Sequence, residues 1–262
     1  MGIKILSWNV NSIRTRLEHL ASISKLLTPD IICLQETKVT NDQFPKKTIN
    51  DIGYNYIYLN GIKAYNGVCI LSKIEAKGTN SIDWCNQSDG RHIQANINGL
   101  DIHSIYIPAG GEIPDLEKNK KYKHKIDFLE ELTSWSKKRK NKSSVICGDL
   151  NIAPLEDDVW SHAQLKNVVS HTLLERNKLI EFQNSGNWCD IIRKMLKPEE
   201  NLFTWWSYRS PNFKKNNRGR RLDHAWVSDD LNNSIKKILI FKEAREWKRP
   251  SDHVPIMIEM KD

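Results

Sequence analysis

Apolar positions recur along this chain with two periods, and the switches between them outline an α/β protein. Residues 3–8 read as a strand, and residues 31–35, Ile-Ile-Cys-Leu-Gln, as a second one that is apolar on both faces. Between them Ile13, Leu17, Leu20, Ile23 and Leu27 recur at helical spacing, with Asn11 or Ser12 as the expected cap and Thr28-Pro29-Asp30 as the stop. Further strands are predicted over 54–59, 68–71, 92–97 and 102–107, broken by Gly and Asn turns. A charged helix is predicted over 116–140, with Ile126, Leu129 and Leu132 toward the core. A strand over 144–147 and a helix over 172–182 follow, and strands over 222–227, 235–241 and 255–260 complete the pattern. No linker rich in Pro, Gly or Ser divides the 262 residues, so one α/β domain of two packed sheets with outer helices is the simplest architecture.

Composition narrows the class. The longest apolar runs, 31–34 and 238–241, are four residues each, whereas a membrane helix needs about 20. The first residues carry no apolar stretch long enough for a signal peptide. Five cysteines without a CxxC pair point to reduced, buried thiols and a cytoplasmic protein rather than a cysteine-bound zinc site. Forty Lys and Arg against 32 Asp and Glu give +8, an excess that favours a polyanionic partner, nucleic acid before anionic lipid. Of the nine tryptophans most are expected in the core, with some available for stacking on bases or sugars.

Carboxylates mark the strand ends: Glu36 after the second strand, Asp149 after 145–148, Asp223 inside 222–226 and Asp252 just before His253. Beside apolar strands they must be solvated, paired or metal-bound. With Asn9 and Asn151 they form an oxygen-rich set suited to Mg²⁺, or Mn²⁺ in its place; histidines are too sparse for a zinc motif. His253 needs a second carboxylate to fix its tautomer, and Asp223 is the candidate. Tyr106 stands at a strand mouth before Pro108 and Gly110, where its hydroxyl can meet a phosphate. His103 and His224 read as structural. A short internal echo links 5–11 with 145–151: both place polar pairs at i and i+2, Asn9 with Asn11 and Asp149 with Asn151, after an apolar strand. Period-two spacing sends each pair to one face, so two similar halves can bring four oxygen-rich side chains to a shared edge.

Six motifs occur in order: Ser7-Trp8-Asn9-Val10-Asn11-Ser12-Ile13-Arg14, Leu34-Gln35-Glu36-Thr37-Lys38, Tyr106-Ile107-Pro108, Gly148-Asp149-Leu150-Asn151-Ile152-Ala153-Pro154, Arg221-Leu222-Asp223-His224 and Ser251-Asp252-His253. Together they resemble the exonuclease III family of DNA-repair nucleases, within the endonuclease/exonuclease/phosphatase superfamily, over residues 3–260. The resemblance implies a four-layered α/β sandwich, two packed mixed β-sheets flanked by helices, with the active site at one sheet edge. It implies a metal site on Glu36, with Asn9, Asn11 and Asp252 near the ion and Asp149, Asn151 and His253 in its surroundings. It implies that Asp149 is the general base, that Asn151 positions the water and phosphate, and that His253, held by Asp223, donates to a phosphate oxygen. Tyr106 matches a tyrosine at the phosphate or leaving group. Trp205 and Trp206 resemble the aromatics of a pocket for a base-free sugar, with Leu222 as another wall. Lys214, Lys215, Arg218, Arg220, Arg221 and Arg91 would hold backbone phosphates.

The implied activity is Mg²⁺-dependent cleavage of duplex DNA at abasic sites and 3′ ends, by a monomer. Competing readings are a superfamily phosphatase or phosphodiesterase on RNA, inositol phosphates or phospholipid, and a DNA-binding module without catalysis. The Tyr106 motif and the segment from Trp205 to Arg221 argue against the first, and the complete motif set against the second. Two departures stand out: Asn11 is acidic in some relatives, and Arg220 occupies the place of a pocket tryptophan in others.

Overall fold

Two six-stranded sheets pack face to face, and helices cover both outer surfaces, giving four layers. The computed structural model describes residues 2–139, 143–196, 201–210 and 212–261. The first sheet contains β1 (Lys4–Asn9), β2 (Ile31–Gln35), β3 (Tyr56–Asn60), β4 (Val68–Ser72), β13 (Ile235–Ile240) and β14 (Ile256–Met260). Their order is β13-β14-β1-β2-β4-β3. The second contains β5 (Gly78–Asn80), β6 (His92–Ile97), β7 (Leu100–Tyr106), β8 (Ser144–Asp149), β9 (Cys189–Asp190) and β12 (Asp223–Val227). Their order is β5-β6-β7-β8-β12-β9. A small ribbon pairs β10 (Trp205–Trp206) with β11 (Gly219–Arg220). The helices are α1 (Leu17–Leu27), α2 (Lys46–Asp51), α3 (Lys120–Lys138), α4 (His162–Leu165), α5 (Leu173–Ser185), α6 (Ile191–Met195) and α7 (Phe213–Asn216).

Each sheet has a parallel pair at its centre, β1 with β2 and β7 with β8, and antiparallel neighbours around it. Period two divides the strands between layers. Ile5, Ile31, Cys33, Val145 and Cys147 fill the space between the sheets. Leu6, Trp8, Ile32 and Leu34 face outward onto Leu20, Ile23 and Ile49 of α1 and α2. Ile105, Ile146 and Trp226 face α3 and α5 through Ile126, Leu129, Leu179 and Phe182. Burial on both faces explains why these strands read as unbroken apolar runs. Cys33, Cys69 and Cys147 are buried, and all five thiols are free. Among the described residues, no helix is long and apolar enough to cross a membrane.

The predicted elements are largely present, and their ends differ for local reasons. The helix expected over 13–27 breaks into a 3-10 turn at Ile13–Thr15 and α1, and Ser12 makes no side-chain cap bond. Residues 11–13 are drawn aside instead, because the amides of Ser12 and Ile13 donate to the carbonyls of Glu36 and Thr37. The helix expected from 116 starts at Lys120, where the Asn119 side chain caps two amides; the last residue of that expectation lies outside the described residues. β8 runs two residues further than expected, so Asp149 is its final residue. Gly148 permits this: a Cβ there would lie 1.9 Å from the Ile105 carbonyl oxygen of the neighbouring β7.

Candidate active site

The ends of β1 and β8 meet at the edge where the two sheets close on each other. Asn9 ends β1, and its Nδ2 donates both to Asp149 Oδ2 and to Glu36 Oε1, each at 2.9 Å. The two strand ends are built alike. The Asn11 amide donates to Asn9 Oδ1 at 3.0 Å, and the Asn151 amide donates to Asp149 Oδ1 at 2.9 Å. Asn11 and Asn151 both turn the chain with positive φ, 43° and 54°, a conformation that asparagine tolerates better than most residues. The short echo in the sequence is therefore a structural one, and it carries both polar pairs to one place.

Glu36 follows β2. Its Oε1 also accepts the Tyr106 hydroxyl at 2.9 Å, and its Oε2 lies 2.7 Å from the Lys38 ammonium. Lys38 Nζ donates in turn to Asn11 Oδ1 at 2.5 Å. Burial alone would raise the Glu36 pKa, but the Lys38 charge and the Asn9 amide hold it below the usual value. Asp252 accepts from Asn11 Nδ2 at 3.0 Å and from Trp205 Nε1 at 2.9 Å. Burial is outweighed there too, by His253, Asn11 and Trp205, and the pKa is lowered. These oxygens of Glu36 and Asn11 already bracket one cation, so the donor set fits a hard divalent ion.

His253 lies between two carboxylates. Its Nδ1 bonds Asp223 Oδ2 at 2.8 Å, and its Nε2 faces Asp149 Oδ2 at 3.6 Å. Two backbone amides, those of Leu222 and Asp223, converge on Thr204 Oγ1 and fix the start of β12. Burial would keep the imidazole neutral, but Asp223 and Asp149 together raise its pKa and favour the cation. Burial and the charges of Asp223 and Glu36 raise the Asp149 pKa above the ordinary carboxylate range, against the pull of His253 and Asn9. Asp149, Asp223 and His253 are the converging His/Cys/Asp/Glu trio among the described residues. The three offer ligand atoms close enough to share one ion, as expected of Asp149 and His253, and the short Asp223 contact on Nδ1 leaves the His253 Nε2 side turned toward Asp149. Asn151 sends its Nδ2 to Ile107 O at 2.9 Å and to Asp149 Oδ2 at 3.2 Å, which ties it to the general-base candidate. Tyr106 is kept protonated by burial and by the charges of Glu36 and Asp149. Arg91 lies over its ring, 4.9 Å from the centroid, and also pairs with Asp89.

The expected substrate residues divide. Trp205 is half-buried at the cleft, pairs with Arg220 across the ribbon and bridges to His253. The Arg220 guanidinium lies 5.4 Å from the Trp205 ring centroid and donates to Val169 O and Ser170 Oγ. Leu222 is buried against Ala153, Val159 and Leu165, with Trp205 at the margin. Lys214, Lys215 and Arg218 are exposed, Lys214 pairing with Glu246 at 2.7 Å and Arg218 lying over Trp160. Two expectations are corrected. Trp206 is a core residue, packed against Phe203 and Phe213 with its Nε1 on Asn217. Arg221 is fully buried, forked onto Asp158 and bonded to Asp190, so it holds no DNA phosphate. Arg221 lies in the link between β11 and β12, where it and its neighbours Leu222 and Asp223 are all buried, and a basic run in a sequence does not reveal which members have acidic partners.

Several participants escaped the sequence reading. Lys38 stood within a quoted motif, and its position two residues after Glu36 was the available signal. Arg16 reaches Tyr208 and the Pro250 carbonyl and braces the turn beside Asn11, a contact that no local pattern announces.

A four-layered sandwich whose sheet ends deliver amides, carboxylates and a carboxylate-held histidine to one cleft defines a phosphoester-cleaving class, and the chain belongs to the endonuclease/exonuclease/phosphatase family, whose profile matches residues 6–253. Within that family the similarity falls on the exonuclease III and AP endonuclease branch. Exodeoxyribonuclease III of Haemophilus influenzae is 29% identical over 272 residues, covering 99% of this chain and 100% of that protein. An AP endonuclease structure from Archaeoglobus fulgidus superposes with a TM-score of 0.92 at 32% identity, covering 99% and 100% of the two chains. The 3′ phosphatase NExo from Neisseria, bound to a product DNA hairpin, gives a TM-score of 0.91 at 28% identity with the same coverage.

Proposed function

We propose that the protein is a metal-dependent DNA-repair phosphodiesterase of the exonuclease III type. It hydrolyses the backbone 5′ to abasic sites, removes nucleotides 3′→5′ from duplex DNA and clears blocked 3′ ends. The observation that carries this reading is the Asp149 carboxylate, which is buried, held through both oxygens by Asn9 and Asn151, and set beside the Asp223–His253 pair. The AP endonuclease and the 3′ phosphatase among the similar structures support both sides of the activity. The +8 surplus and the exposed Lys214, Lys215 and Arg218 support duplex DNA as the partner. We assign the chain as a cytoplasmic monomer.

Phosphodiester hydrolysis needs a positioned water that loses a proton, donors on the phosphoryl oxygens, and a stabilised leaving oxygen. Asp149 takes the proton, and its raised pKa brings it toward the working pH of a general base. Asn151 orients the water beside it. His253, aimed by Asp223, donates to a phosphate oxygen as negative charge builds, and the Tyr106 hydroxyl serves the same group from the Glu36 side. Glu36, Asn9, Asn11 and Asp252 would hold Mg²⁺, with Mn²⁺ as substitute. Such an ion supplies charge neutralisation at the phosphate and the leaving oxygen.

Incubation of the purified protein with abasic and intact duplexes, with and without EDTA, tests this on a denaturing gel. Incision at the abasic site that EDTA abolishes is expected; an uncut abasic duplex overturns the reading. Glu36→Gln is expected to cleave slowly at low Mg²⁺ and to recover as the metal is raised, because it loses affinity for the ion and keeps the base. A defect that no metal concentration relieves would remove Glu36 from the metal site. Trp205→Ala is expected to lower selectivity for abasic over intact duplex, through the loss of a stacking wall that contributes about 1–3 kcal/mol. An equal fall on both substrates would instead make Trp205 a support for Asp252 alone.

A further inference from the structure

Lys125 of α3 is fully buried, and its ammonium has three N–H groups and three acceptors. They are Asn151 O at 2.8 Å, Ala109 O at 3.3 Å and Glu175 Oε1 at 2.6 Å. Ala109 lies three residues past Tyr106, and Asn151 two past Asp149. One cation therefore joins the two segments that leave β7 and β8 at the cleft. Glu175 is itself pinned by the amides of Ser170 and Thr172 and by the Thr172 hydroxyl, and Ser170 Oγ accepts Arg220. The network thus reaches from the general-base turn to the side chain that covers Trp205.

Packing does not require a lysine here. Ile126, Leu129 and Leu132 already supply the apolar face of α3, and a well-packed hydrophobic residue usually matches or exceeds a buried ion pair in stability. The acceptors point to another role. Asn151 turns the chain with φ +54° while its side chain spans Ile107 O and Asp149 Oδ2, and the Lys125 ammonium holds the carbonyl of the same residue. We propose that Lys125 is a positioning residue for the hydrolytic reaction: its ammonium locks the Asn151 peptide against the Tyr106 segment and thereby aims the side chains of Asp149 and Asn151. This rests on the nuclease reading above.

The test compares wild type with Lys125→Met, Lys125→Arg and Glu175→Gln on an abasic duplex at saturating Mg²⁺, with the folded fraction taken from circular dichroism. Misplacement by about 1 Å can cost on the order of 10²-fold, so Lys125→Met is expected to lose about 10- to 100-fold in kcat per folded molecule. Its KM for DNA should stay within about threefold of wild type, since no substrate contact is removed. Lys125→Arg should restore most of kcat. A folded Lys125→Met with wild-type kcat overturns the proposal, and so does a loss carried by KM. If Lys125→Met does not fold, Glu175→Gln decides, because it leaves the ammonium without its charged anchor: a fall in kcat at constant KM supports the proposal, and an unchanged kcat overturns it. Failure of the nuclease reading would appear separately, as wild type that does not cut.

Discussion

Asp149→Asn is expected to lower single-turnover cleavage of an abasic duplex by about 10³-fold or more, with DNA affinity unchanged or tighter. The side chain keeps its volume but loses the charge that accepts the water proton, and general base catalysis typically contributes about 10²–10⁴-fold. A second loss adds to the first. Whichever carboxylate oxygen the NH2 group replaces, it faces a donor, Asn9 Nδ2 and Asn151 Nδ2 at Oδ2 or the Asn151 backbone amide at Oδ1, so the shared turn must rearrange. Affinity should hold because a negative charge beside the phosphate is gone. Cleavage across a metal titration, beside Glu36→Gln, separates the roles. Near-normal cleavage at saturating metal would sink the general-base assignment, and complete rescue by metal would make Asp149 a ligand.

Asp158→Asn is expected to destabilise the fold by about 3–5 kcal/mol, the usual cost of breaking a buried ion pair from one side. Asp158 is fully buried and accepts from Arg221 Nε at 2.7 Å, from Arg221 Nη2 at 2.9 Å and from Arg193. Asparagine would leave two guanidinium groups around a neutral amide. For a chain of this size the melting temperature should fall by about 6 °C or more, read by thermal unfolding. The pH dependence has a definite sign. Burial opposes ionisation, but Arg221 and Arg193 hold the Asp158 pKa at about 2, below its ordinary 3.8. Its contribution is complete above the unfolded value and is lost as pH falls toward the folded one. The gap between wild type and variant, measured by urea unfolding, should therefore narrow below about pH 4. A melting temperature equal to wild type would mean that Asp190 alone satisfies Arg221.

Much of the fold was legible in the pattern because it rests on local spacing. The unbroken apolar runs at β2 and β8 marked central, doubly covered strands, and the helical stripe through Ile126, Leu129 and Leu132 marked α3. The site was legible for a related reason. Asn9 and Asp149 end β1 and β8 and Glu36 directly follows β2, and period two together with the echo of β1 in β8 directs the Asn9 and Asp149 pairs to one edge, whereas Asp252 reaches it from the loop before β14. The resemblance to a nuclease family added roles that spacing alone does not assign.

Tertiary structure decided which charged and aromatic side chains reach the cleft. Trp205 and Trp206 are neighbours of one type, and only the ribbon's pleat turns one toward Asp252 and the other into the core. Arg218, Arg220 and Arg221 form one basic run, yet one is exposed, one lies over Trp205 and one is sealed by Asp158 and Asp190. Those partners are 63 and 31 residues away in the chain. Lys125 meets Glu175 across 50 residues, and nothing near either one marks the pair. Strand and helix periodicities are properties of adjacent residues, so the sequence by itself determines the layers and the catalytic edge. Ion pairing and burial depend on which distant segments those layers bring together, and for that the folded chain was needed.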